Sequence, residues 1–152
     1  MERLIKIAII SIASFSLVAL SFITKSTFID EILFSNAFII AIAIFTIHSS
    51  SSAILISQLN ILNKQLKINF TSTLLSIKHS LIEDALIIFC ILCISIVHNS
   101  TLLQDSFKEN ISLLKGTSSF LLLALLTSQL WIIYDILIAI LNAFKFDNSS
   151  QE

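Results

Sequence analysis

Long apolar runs broken by short polar stretches dominate this chain, and four of the runs are long enough to cross a hydrocarbon layer, which needs about 20 helical residues. They predict spans at residues 4–23, 32–56, 80–97 and 117–144 within a single transmembrane domain, 1–152. The runs lack the strict alternation of a membrane β-strand. The expected fold is therefore all-α and polytopic, with four antiparallel transmembrane helices. The second run does not stop cleanly. Leu55, Leu59, Leu62 and Leu66 recur at helical spacing while Asn60, Asn63, Lys64 and Lys67 occupy other faces. That pattern predicts an amphipathic cytoplasmic extension between helices 2 and 3, either protruding or lying at the interface. A break is expected around residues 67–71, with Thr71 or Ser72 as the cap of the third helix.

Composition strengthens this picture. Of 152 residues 56% are hydrophobic and only 12% charged, with one glycine and no proline. A soluble domain of this size needs more charge on its surface. Broken helices and re-entrant loops usually need glycine and proline. The formal net charge of −1 gives no electrostatic footprint for nucleic acid.

The basic residues set an expected orientation. Arg3, Lys6, Lys64, Lys67, Lys78 and Lys145 fall on one side of the predicted spans; Lys25, Lys108 and Lys115 fall on the other. The positive-inside rule then places both termini in the cytoplasm. The first run has a basic flank, but Val18-Ala19-Leu20-Ser21 is a poor cleavage site, so an uncleaved span is expected. Ser11, Ser14, Val18 and Ser21 put small side chains on one face, where helices can approach closely.

Polar groups inside the spans carry what chemistry the sequence offers. Asp135 lies within the fourth span, where an ionised carboxylate costs roughly 2.5 to 3.5 kcal/mol. It must face other helices, be protonated or find a partner. Ser128 and Asn142 extend its face by seven residues in each direction. His48 opens the run His48-Ser49-Ser50-Ser51-Ser52, placed at a depth similar to Asp135, so a His48–Asp135 pair with Ser49 and Ser52 alongside is expected. His79 and Glu83 are one helical turn apart, with Asp84 beside them. These residues can handle a proton, cation or small solute, or simply tie helices together by hydrogen bonds. His98 is expected at the outer interface.

No metal-ligand set, activated serine or phosphate-binding glycine loop is present, so no enzyme, no catalytic residue, no metal and no cofactor is expected. Cys90 and Cys93 have the spacing of a redox pair. A quinone-linked thiol enzyme needs a second pair, and the chain has two cysteines in all; they are expected to be chemically quiet core residues.

The segment from Thr73 to Asp84, containing His79-Ser80-Leu81-Ile82-Glu83, resembles the His-Ser-Leu-x-Glu segment of bacterial membrane proteins carrying the nucleoside-recognition or gate domain. The resemblance reaches roughly over residues 38 to 95. It implies a helical domain of the bacterial cytoplasmic (inner) membrane associated with solute permeation, uptake or sporulation, and carries over His79 and Glu83, with Asp84. Two functions follow as expectations. One is a transport-associated protein acting as a homo-oligomer or with a membrane-protein partner, since four helices make a thin wall for a pathway. The other is a structural or accessory subunit of a larger membrane complex.

Overall fold

A computed structural model describes residues 2–66, 70–106 and 110–149. The chain is all-α. Its long helices are α1 (Glu2–Thr24), α2 (Phe34–Leu66), α3 (Thr71–Asn99) and α5 (Ile111–Ser149), with a short α4 (Thr101–Ser106) before the last. No proline interrupts them, so each keeps its backbone hydrogen bonds internal, as a hydrocarbon environment demands. Four helical stretches have the length and composition of membrane spans: Leu4–Thr24, Phe28–Lys64, Thr71–Asn99 and Ile111–Leu141. The protein is a multi-pass membrane protein.

The second span starts earlier than its hydropathy suggests. A π-helical turn, Phe28–Leu33, leads directly into α2. Asp30 and Glu31 occupy its first turn, where the helix dipole favours negative charge. The expected span, 32–56, begins just after these two acids. Before it, α1 ends on Lys25 at φ 52°. The Lys25 N–H donates to the Phe22 carbonyl at 3.3 Å, and the Ser26 N–H to the Ser21 carbonyl at 3.0 Å. This is a Schellman cap with lysine where glycine would carry no steric cost; a left-handed conformation costs other residues roughly 1 to 2 kcal/mol.

At the other end α2 runs unbroken to Leu66, and α3 opens at Thr71; the Leu74 N–H donates to the Phe70 carbonyl at 3.0 Å, so the cap position is Phe70 and not Thr71 or Ser72. Residues 67–69, where the break is expected, lie outside the described residues.

Large apolar side chains cover the outside. Leu4, Ile12, Phe15, Phe22, Leu86, Phe89, Ile96 and Leu141 are all more than half exposed, and apolar surface of this extent belongs against acyl chains. On α1 the stripe Ser11, Ser14, Val18 and Ser21 is the covered face, Ser14 fully so.

The chain divides into two compact units, Met1–Ile42 with Ile87–Ser128, and Ala43–Leu86 with Gln129–Glu152. The first is built on Ile29, Phe34, Ala37, Ala41, Ile91, Leu122 and Leu126, all buried. Within it His98, at the end of the third span, is packed against its neighbours. Its ring stacks on Phe34 at 3.6 Å between centroids and 8° between planes, and its Nδ1 lies 2.8 Å from the Ser118 hydroxyl. The second unit has an apolar core of Leu55, Leu59, Leu62 and Ile77, flanked by Ile56, Phe70, Leu74, Leu81, Ala139 and Ile140. Asn60, Asn63 and Lys64 are exposed.

Candidate functional site: a buried histidine–aspartate pair

The second unit holds a polar cluster next to its leucine core. The inward residues of α2 there are Ile44, His48, Ser51, Ser52, Leu55, Leu59 and Leu62, a helical stripe that turns polar in its centre. On α3 the fully covered positions are Ile77, Asp84, Ile91 and His98, each seven residues from the last, which is two helical turns and hence one face. On α5 the stripe Gln129, Ile133 and Ile136 belongs to this unit. His48, Asp84 and Gln129 each lie within two residues of their helix centres, which are 50, 85 and 130.

These three side chains are fully buried and hydrogen-bonded to one another. His48 Nδ1 lies 2.7 Å from Asp84 Oδ2. The Gln129 amide nitrogen donates to Asp84 Oδ1 at 2.6 Å. On the far edge of the imidazole, Nε2 lies 3.3 Å from the Ser80 hydroxyl. Ser80 is one turn before Asp84, so the two reach the same ring from one face of α3.

Counting hydrogens relates the hydroxyl's direction to the charge of the cluster. The Ser80 hydroxyl has one proton, and the closer acceptor is the Ile77 carbonyl at 2.8 Å. With the proton directed there, the Ser80 oxygen offers His48 Nε2 a lone pair, and Nε2 carries the hydrogen. Between Nδ1 and Oδ2 a single proton then remains to be shared. If it sits on nitrogen, the pair is imidazolium and carboxylate; if on oxygen, imidazole and carboxylic acid. Both have zero net charge, the one condition under which a low-dielectric interior accommodates such groups cheaply. Without that proton, two lone pairs would face each other at 2.7 Å.

Acceptors beside the pair are left over. The Ser52 hydroxyl oxygen and Gln129 Oε1 are buried without a hydrogen-bond partner. Ser52 is one turn beyond His48 on the same face of α2. A buried, unsatisfied hydroxyl costs about 1 to 3 kcal/mol, so Ser52→Ala is expected to raise the unfolding free energy in detergent by about 1 kcal/mol. An unchanged or lowered denaturation midpoint would mean that Ser52 is satisfied in the folded protein.

The structure joins two of the residues singled out from sequence, His48 and Asp84, and covers Ser52 beside them. Ser49 is exposed. His79 and Glu83 are both exposed, one position round the helix from Ser80 and Asp84. Asp135 is also exposed. The carboxylate that meets His48 is Asp84 and not Asp135: both imidazole nitrogens are taken by Asp84 and Ser80. Cys90 and Cys93 are free and exposed, which corrects their placement in the core; Ile91 between them faces inward. Among the described residues no group of three His, Cys, Asp or Glu side chains could hold a metal ion. Gln129 was not singled out from sequence. Its one signal is its place in the stripe Leu122, Leu126, Gln129, Ile133 and Ile136, otherwise apolar.

No protein-family model, curated protein or solved structure matches this chain.

Proposed function

We propose that this is a transport-associated membrane protein in which the His48–Asp84 pair holds and releases a proton. One observation supports this above the others: an ionisable pair, fully buried and directly bonded at 2.7 Å, in the middle of helices made to cross a membrane. Ionisable groups there are costly, and they usually mark proton, ion or solute pathways.

A release step follows from the hydrogen-bond count. The Nε2–H bond of His48 breaks and its proton passes to a water or to a basic group of a solute. The shared proton settles on Nδ1, and the Ser80 hydroxyl turns from the Ile77 carbonyl to donate to the vacated Nε2 lone pair. The pair then carries one negative charge, held by the Nδ1–H and by the Gln129 amide. That state is expensive in a dry interior, which couples release to water entry or to a compensating cation. Uptake reverses each movement.

The gate-domain resemblance belongs to the same reading: it makes nucleosides the first solutes to test and carries over His79 and Glu83, with Asp84. We further assign His79, Glu83 and Asp135, all exposed, to a homo-oligomer contact or a pathway wall. The segment around Asn63 is taken as a cytoplasmic extension of α2 and both termini as cytoplasmic, in a bacterial inner membrane. Cysteines introduced at Asn63 and Asn110 should accordingly be labelled from opposite sides; labelling of both from one side overturns this topology.

The decisive test uses the full chain in liposomes loaded with a pH-sensitive dye, under an imposed potential, with and without nucleosides or monovalent cations. Wild-type protein should move protons, and Asp84→Asn should abolish the movement while remaining folded. Equal rates in empty, wild-type and Asp84→Asn vesicles would end the proposal. The competing reading, an accessory subunit, is favoured by α1, whose surface is mostly apolar and exposed. It predicts a stable hetero-complex on native gels with no flux by the isolated chain.

A further inference from the structure

A second feature, in the other unit, is built of different residues. Where α1 ends and α5 begins, a cavity of about 370 Å³ is lined by Lys25, Lys115, Asp30 and four serines, Ser21, Ser26, Ser112 and Ser119, together with apolar Val18, Phe22 and Ile29. The two lysines come from separate elements. Among the described residues neither forms an ion pair, and the nearest acid on the wall, Asp30, has its carboxylate 4.0 Å from His98 Nε2. The wall thus carries two cations against one partly engaged carboxylate.

The hydroxyls are not equivalent. Ser21 donates to the Ser26 carbonyl at 3.0 Å, and the Ser26 oxygen accepts the Phe28 N–H at 3.3 Å. Ser119 is only 5% exposed, lines the cavity and has no hydrogen-bond partner among the described residues. It is a buried polar group directed at the open space, where an acceptor oxygen would satisfy it. Gly116 lines the cavity too, and a Cβ built there would meet no atom within 4 Å.

Next to this lysine-bearing cavity lies a second one of about 240 Å³, without charged groups. It shares Ser21, Ser26 and Ile29 with the first and is otherwise lined mainly by Leu17, Leu20, Leu33 and Leu123. A dry apolar cavity of about 150 Å³ already admits benzene. Cationic and hydroxyl groups on one side, with a leucine-lined slot on the other, match the two ends of one amphiphile. The first span ends at Thr24 and the last starts at Ile111, which puts Lys25 and Lys115 at or near headgroup level, with Val18 and Ser119 deeper in the spans.

We propose that this is a binding site for an anionic phospholipid, its phosphate between Lys25 and Lys115 with a hydrogen bond from Ser119, and one acyl chain in the leucine slot. Lysines that merely snorkel to the interface need neither the cavity nor the slot. The position of Lys25 separates the two roles. Its left-handed backbone favours glycine, so its ammonium group sits there against local conformational preference.

The test is native mass spectrometry of the full-length protein in mild detergent, with phosphatidylglycerol, phosphatidylcholine of the same chains, or inorganic phosphate added. One phosphatidylglycerol per chain should be retained in preference to phosphatidylcholine, and excess inorganic phosphate should not displace it. Each lysine near an anionic headgroup is worth roughly fivefold in affinity, so Lys25→Gly with Lys115→Gln should lose roughly thirtyfold. Gly116→Leu, which keeps both lysines but fills the cavity, should also lose the lipid; Lys78→Gln should not. Lys25→Gly alone should raise the melting temperature without lipid while weakening lipid binding, whereas a purely structural lysine would move both downward. Equal retention of the two lipids, displacement by phosphate, or undiminished binding in Gly116→Leu would each overturn the assignment.

Discussion

Asp84→Ala should lower the unfolding free energy of the protein by about 3 to 5 kcal/mol, the usual cost of removing one partner from a buried ion pair. Two buried groups lose their partner at once: the His48 Nδ1 edge and the Gln129 amide, bonded to the two oxygens of this carboxylate at 2.7 and 2.6 Å. All three members are fully buried in the folded protein, so bulk solvent does not stand ready to replace the lost partner. The size of that loss says nothing, however, about why the pair exists, because breaking a pair and never having had one are different comparisons. Replacing all three members by apolar residues of similar volume removes their mutually dependent polar groups together. His48→Leu with Asp84→Val and Gln129→Leu is therefore expected to recover the wild-type midpoint or exceed it. The same variant should carry no protons in liposomes. Chemical denaturation in mild detergent and dye-reported flux check the two halves separately. A triple variant that is stable and fully active would reduce the cluster to a helix lock and remove the proton role with it.

The helices were legible in sequence because hydrocarbon thickness leaves little choice: a run of about 20 apolar residues without proline can do little else in lipid. Which face of each helix turns inward was not. In a soluble protein polar residues mark the outside, but here Ile and Leu cover both sides. The buried stripe of α3, Ile77, Asp84, Ile91 and His98, reads like its exposed neighbours Ile82, Leu86 and Phe89. The phase of the helix was therefore open by one residue in either direction. His79 with Glu83 and Ser80 with Asp84 have the same one-turn spacing, and only packing distinguishes the exposed pair from the one that meets His48. Similarly, the polar line Ser128, Asp135 and Asn142 drew the eye on α5, while the neighbouring line through Gln129 and Ile136 is the buried one. His48 and Asp84 were legible as polar groups in apolar runs; their meeting, 36 residues apart, was a tertiary fact. The π-helical start of the second span was hidden for another reason. Asp30 and Glu31 interrupt the apolar run just before residue 32, although a helix N-terminus is where such charges are welcome.

Gln129 should answer differently to two substitutions of similar shape, and the contrast tests the proton count directly. Gln129→Leu leaves Asp84 Oδ1 without its donor, at a cost of about 1 to 2 kcal/mol for a polar contact between membrane helices. Gln129→Glu keeps the shape and places a second carboxyl group at the position now occupied by the amide, 2.6 Å from Oδ1. Two carboxylates that close cannot both ionise. The new side chain must therefore bind a proton and donate it to Oδ1, reproducing the amide's hydrogen bond with an O–H. The expected product is a folded protein, more stable than Gln129→Leu, holding one proton more than wild type. Its infrared spectrum should gain a protonated carboxylic acid band that resists exchange in heavy water, as befits a fully buried group. Combining it with Asp84→Asn should leave a single buried acid and retain the band. If Gln129→Glu is instead less stable than Gln129→Leu, with no new acid band, both carboxylates are charged, water reaches the cluster, and a neutral pair sharing one proton is the wrong account of this site.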